Sequence, residues 1–122
     1  MKIKTTALTG RALDWAVALA IGAATRIVPS GRTWMELNAW YVSNRGNYNF
    51  KPTTDWRRCG ELIEEYKIQL QHSEHIWFAS CKRLFSLGRT PQIAICRAVV
   101  AAQLGDEVEI PDELVEENNH DQ

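Results

Sequence analysis

Gly88-Arg89-Thr90-Pro91-Gln92-Ile93-Ala94-Ile95-Cys96-Arg97-Ala98-Val99-Val100-Ala101-Ala102-Gln103-Leu104-Gly105 is the stretch around which the rest of the chain must arrange itself. A threonine stands directly before a proline, and a glycine follows the last apolar residue. The threonine hydroxyl can accept from an N–H of the first turn, and proline lacks an N–H that a helix start would leave unpaired. Glycine lets the backbone leave the helix. These signals predict a helix over about 91–104. Between its caps, Gln92, Arg97 and Gln103 are the main polar residues, so the helix should be covered on nearly every side. It is expected to be the central core helix.

Working outward, Glu107-Val108-Glu109-Ile110 reads as a short strand stopped by Pro111. Upstream, Tyr66, Ile68 and Leu70 alternate with Lys67, Gln69 and Gln71, and Ile76-Trp77-Phe78-Ala79 resumes after a polar turn at Ser73-Glu74. That is a hairpin over about 65–81 with one buried and one wet face. Leu62-Ile63 extends or precedes its first strand. A further helix is predicted over about 11–21, with Thr9 as N-cap and Gly22 as stop. Its residues Leu13, Ala16, Val17, Ala20 and Ile21 share one face. Only a narrow polar stripe remains around Arg11, Asp14 and Ala18. Arg26-Ile27-Val28 reads as a short strand, and Trp34 to Val42 as a strand or a short helix.

The fold class is therefore α+β: a small antiparallel sheet, the hairpin plus short strands, packed with an N-terminal helix and a long core helix. Residues 1–115 form a single domain, and 116–122 an acidic, disordered tail. At 122 residues the chain is too short for two ordinary domains. The longest apolar run, Trp15 to Ile21, is about a third of a bilayer span. No apolar leader with a small-residue cleavage site opens the chain. Three cysteines without close spacing suit reduced thiols in a cytoplasm. The expected location is cytoplasmic, with no membrane contact.

Charge is unevenly spread. Residues 26–58 hold six basic side chains against Glu36 and Asp55, whereas residues 105–122 hold eight acidic side chains and no Lys or Arg. A dedicated DNA-binding domain is usually basic overall, so nucleic acid is disfavoured. No glycine-rich phosphate loop is present, and no cofactor is implied. His72 and His75 lack further ligands at zinc spacing, so no metal site is expected. Cys59 follows Arg57-Arg58, which would favour a thiolate, but no base signature accompanies it.

Two constellations carry chemistry. Trp34, Trp40, Tyr41, Tyr48, Phe50 and Trp56 interleave with Arg32, Arg45, Lys51, Arg57 and Arg58. Planar rings stack on bases and guanidinium groups pair with phosphates; alternatively these rings fasten a long loop to the core. Glu61, Glu64 and Glu65 form an acidic cluster able to do acid–base work if one carboxyl is perturbed, or to form a salt-bridged, solvated face. Arg97, on an apolar helix, must find a partner or an opening to solvent, and Asp14 is a candidate partner. Asp14 is itself open to either a structural salt bridge or a ligand contact.

Several strings lie in a telling order: Leu13-Asp14-Trp15-Ala16-Val17-Ala18, Thr53-Thr54-Asp55-Trp56, Gly60 with Ile63-Glu64, Trp77 with Ala79, Gly88-Arg89-Thr90-Pro91, Cys96-Arg97, and Leu104 through Pro111. Together they resemble the NinX-like proteins of tailed phages and of prophages in enteric bacteria, over roughly residues 5–114. Cys59-Gly60 stands where such proteins usually have a glycine pair, and Glu61 where a proline is common. The interval from Ile27 to Tyr48 is long for the family. The resemblance implies a phage accessory protein acting in host cytoplasm, and no particular reaction.

The expected function is a non-enzymatic binding module for a host protein or a small anionic, nucleotide-like ligand. The candidate ligand-binding residues are Trp40, Tyr41, Tyr48, Asp55, Trp56, Arg57, Arg58 and Arg97, with none catalytic. The alternatives are a small hydrolase or nuclease using the clustered carboxylates, or a single-stranded nucleic-acid binder. The apolar surface of the first helix is also compatible with a homo-oligomer.

Overall fold

A computed structural model describes residues 1–22, 24–27, 33–36, 50–112, 114 and 115, the segments 24–27 and 33–36 by backbone alone. In chain order the elements are β1 Lys2–Lys4, a 3-10 turn Thr5–Ala7, α1 Gly10–Ala20, β2 Ala24–Ile27 and β3 Thr33–Glu36. Then come α2 Trp56–Tyr66, β4 Gln69–Ser73, β5 Ile76–Cys81, β6 Leu84–Gly88, α3 Pro91–Leu104 and β7 Glu107–Glu109. The fold is α+β, with three helices longer than two turns and small antiparallel sheets among the described residues.

α3 is built as its caps dictate. Thr90 Oγ1 accepts from the Ile93 N–H at 3.2 Å, Pro91 opens the helix, and Gly105 closes it at φ 93. Ala94, Ile95, Cys96, Ala98, Val99 and Val100 are buried. The helix packs on β5 and β6, on α1 and on α2, so it is covered from three directions. Gly88 makes the sheet contact close: a Cβ there would lie 2.5 Å from the Ala94 backbone nitrogen.

α1 occupies the span expected of it. Thr9 holds the N-cap position without a side-chain capping bond, and Gly22 takes φ 87 after the last turn. Its expected polar stripe is not wet. Asp14 is 4% exposed, and its Oδ1 accepts from the Thr53 N–H at 3.0 Å.

The hairpin differs from expectation. It begins at Gln69, because residues 56–66 are helical and carry Leu62 and Ile63 with them. Cys59, Leu62, Ile63 and Tyr66 recur at helical spacing, and Asp55 Oδ1 caps the start by accepting from the Arg57 N–H at 3.0 Å. Lys67, left-handed at φ 54, ends the helix. The Tyr66–Ile68–Leu70 alternation thus straddles a helix end. β4 has no buried face: Leu70 is 37% exposed and the whole strand is open.

β6 is a third strand, so the sheet order is β4-β5-β6 with all neighbours antiparallel. The β5–β6 turn is Lys82-Arg83, both at positive φ. Directly opposed residues share a face, so Ala79 and Ser86 face α3 while Ser80 and Phe85 face outward. β1 pairs with β7, Ile3 opposite Val108. β2 pairs with β3, in keeping with a strand at Arg26-Ile27. Of the aromatic interval, Trp34 lies in β3 and Phe50 is buried, whereas Trp40, Tyr41 and Tyr48 lie outside the described residues.

Candidate functional site

Arg97 lies in the second turn of α3, where an apolar helix offers it no polar face. Its Nε donates to the Leu8 carbonyl at 3.0 Å and its Nη1 to the Leu87 carbonyl at 2.9 Å. The side chain therefore ties α3 to the entry of α1 and to the end of β6. These bonds replace the expected pairing with Asp14, whose Oδ1 is directed to Thr53. Burial, reinforced by the positive charge of Arg89, lowers the Arg97 pKa from its usual value. A guanidinium stays charged in spite of that, so the strain is electrostatic: a partly dehydrated cation facing a second cation. Arg89 is exposed and has no hydrogen bond or ion pair among the described residues.

Both arginines line a cavity of about 610 Å³. Its other described walls are Thr6, Thr9, Thr53, Thr54 and Thr90, with Ala7, Gly10 and Ile93. No acidic side chain is among them. The threonines arrive from three places. Thr6 lies within the 3-10 turn and Thr9 at the N-cap position of α1, and Thr90 caps α3. Thr53 and Thr54 sit in the turn before α2, where the Lys51 carbonyl accepts from the N–H groups of Thr54 at 3.1 Å and Asp55 at 2.8 Å. Buried Asp14 anchors that turn through Thr53, so the wall is fixed from behind. The start of α3 itself supplies few donors, since Pro91 has no N–H and the N–H groups of Ile93 and Ala94 are taken by Thr90.

Of the residues expected to bind a ligand, Arg97 lines this cavity. Asp55 is the N-cap of α2. Trp56 is 52% exposed at the first position of α2, and Arg57 is exposed beside it. Arg58 donates to Glu61 one turn on at 3.0 Å, its side chain 13% exposed. Trp40, Tyr41 and Tyr48 fall outside the described residues. Arg89 and the threonines were not anticipated as site residues, although Thr53-Thr54 and Gly88-Arg89-Thr90-Pro91 stood in the strings that carry the family likeness.

The remaining chemistry lies elsewhere. Glu61, Glu64 and Glu65 are exposed on α2 and outside the cavity, which removes the pocketed carboxylate pair that hydrolysis would need. His72 and His75 are exposed, and His72 packs against Trp77 with ring centroids 4.4 Å apart. Cys59, Cys81 and Cys96 are free and buried. Cys59 is thus a core residue of α2 rather than an open thiol beside two arginines. Burial first, then the neighbouring Cys59 thiol and the Asp14 carboxylate, push the Cys96 thiol well above its usual range.

The sequence matches the family described as Bacteriophage P22, NinX, over residues 4–103. The chain belongs to that family and is a phage accessory protein. No curated protein matches it. Among the described residues, no helix is long and apolar enough to cross a membrane.

Proposed function

We propose that this member of the NinX family is a non-enzymatic binding module, and that the cavity around Arg89 and Arg97 receives a small anionic ligand. One observation carries the reading: two guanidinium groups share a cavity whose described walls hold no carboxylate. A half-buried cation beside another cation is costly unless an anion joins them. A phosphate or carboxylate accepting from both would relieve that cost, and charge-assisted bonds of this kind contribute about 1.5–3 kcal/mol each. The threonine hydroxyls add neutral donors. No histidine, cysteine or carboxylate lines the described walls to act as base or nucleophile, which favours binding over turnover.

The test is a thermal-shift screen against inorganic phosphate, nucleotides, dinucleotides and cyclic oligonucleotides. A ligand at a hundred times its Kd should stabilise the fold by about 2.7 kcal/mol. Arg97→Met should abolish that shift, and Arg97→Lys should retain part of it, since lysine keeps the charge but not the planar fork. Uniformly null shifts would reject the small-anion reading and leave a host protein as the partner to seek.

A further inference from the structure

We infer that the anion is the phosphate of a nucleoside phosphate, held at Arg89 and Arg97, and that its base stacks on the indole of Trp56. This rests on the reading that the cavity receives an anion, and adds what the rest of the ligand must be. Size is the first ground. At about 610 Å³ the cavity falls within the range of sites that enclose whole organic ligands, roughly 300–1,000 Å³. An inorganic ion would leave most of it to water.

The lining is the second ground. Away from the arginines the walls are mostly threonines, whose hydroxyls stand next to methyl groups. Such a surface suits a hydroxylated sugar better than a second charged group. The turn that carries Thr53 and Thr54 is held from behind by the Thr53 N–H bond to Asp14, so its backbone is placed before any ligand arrives.

Trp56 is the third. It is the most exposed indole among the described side chains, with half of its area in water. It is outside the cavity lining but follows Thr54, which is in it, by two positions, so the two Cα atoms are within about 7 Å. The backbone between them is pinned by the Lys51 carbonyl and by the Asp55 cap. An exposed indole on a rigid helix start is a stacking platform that tolerates any base. Arg57, exposed beside it, extends the positive field outward, whereas Arg58 is committed to Glu61.

The ligand class is tested by calorimetry on the full chain with inorganic phosphate, ribose 5-phosphate, the four common nucleosides and their monophosphates. The expected result is that the monophosphates bind roughly tenfold or more tightly than ribose 5-phosphate, reflecting one stacked base. Trp56→Ala should erase that difference and leave ribose 5-phosphate unchanged, while Trp56→Phe should keep most of it. Because Trp56 is exposed, both variants should fold, which circular dichroism checks. Ribose 5-phosphate or phosphate binding as tightly as the monophosphates would overturn this inference and leave the anion site standing. Absence of binding by every anion would overturn the anion site itself. Tighter binding of oligonucleotides than of monophosphates, falling steeply with salt, would overturn it in favour of a single-stranded nucleic acid.

Discussion

Two neighbouring helices, α2 and α3, each bury much of an arginine, and they treat the charge in opposite ways. On α2, Arg58 finds Glu61 three residues later on the same helix, so the pair is neutral before anything else approaches. On α3, Arg97 has two carbonyls and a second arginine for company. The first helix settles its electrostatics internally, whereas the second leaves a positive charge to be met from outside. The same residue type thus marks a stabilised surface in one case and the proposed anion site in the other, and the difference lies in what one helical turn supplies. α2 has a wet face with room for a partner carboxylate. α3 is apolar over most of its surface and has no carboxylate, so its single arginine must reach past its own helix.

The contrast between the helices is most sharply exposed in the core. Ile95→Ala, on a fully buried site of α3, should cost roughly 2–5 kcal/mol in urea unfolding, while Glu64→Ala on the wet face of α2 should stay within about 0.5 kcal/mol. The glycines give the next effect, with opposite signs. Gly88→Ala forces a Cβ against the Ala94 backbone and should destabilise by about 1–3 kcal/mol. Gly60→Ala, mid-helix in α2 with nothing within 4 Å, should raise stability by up to about 1 kcal/mol; a loss there would mean that the space beside α2 is filled. The caps should behave alike. Thr90→Ala and Asp55→Ala each remove one side-chain acceptor at a helix start, for a loss of about 1 kcal/mol apiece in thermal melts.

The smallest effect is silent at neutral pH. Because the folded state holds the Cys96 thiol above its unfolded value, the fold keeps the full benefit below about 8.5, the ordinary thiol range. It loses that benefit as pH climbs through the unfolded value toward the raised one. Unfolding free energy should therefore decline in mildly alkaline buffer. Native-state labelling of Cys96 should be slow and become fast on denaturation; rapid native labelling would contradict its burial.

α3 was readable because each of its signals is local: a threonine, a proline and a glycine at fixed offsets, with an apolar run between. α2 was not, since its own period at Cys59, Leu62, Ile63 and Tyr66 overlaps an alternation continuing to Leu70. That overlap is resolved by the left-handed residue Lys67, which carries no glycine to announce it. β6 escaped for a similar reason, its turn being Lys82-Arg83 rather than an Asn-Gly pair. In the site, Arg97 was legible as a cation stranded on an apolar helix. Arg89 and the threonines were not, because no spacing rule connects Thr6, Thr53 and Thr90 until the fold gathers three separate turns. Asp14 was open to a salt bridge or a ligand contact; it is instead buried and accepts from a backbone N–H, a donor that every residue but proline carries and no sequence flags.

The β1–β7 pairing has a consequence for kinetics. Ile3 and Val108 meet only after nearly the whole chain has been threaded between them, and long loops close at the greatest entropic cost. Contacts of this kind form late in folding and reopen most readily in the native state. Just beyond β1, Thr5 bonds Asp106 and Gly105, and a few residues later the Leu8 carbonyl holds Arg97. A transient parting of these strands would loosen that carbonyl before it disturbed α3. The rate of exchange at the Thr5 amide therefore sets a natural clock for how often the wall beside Arg97 comes undone.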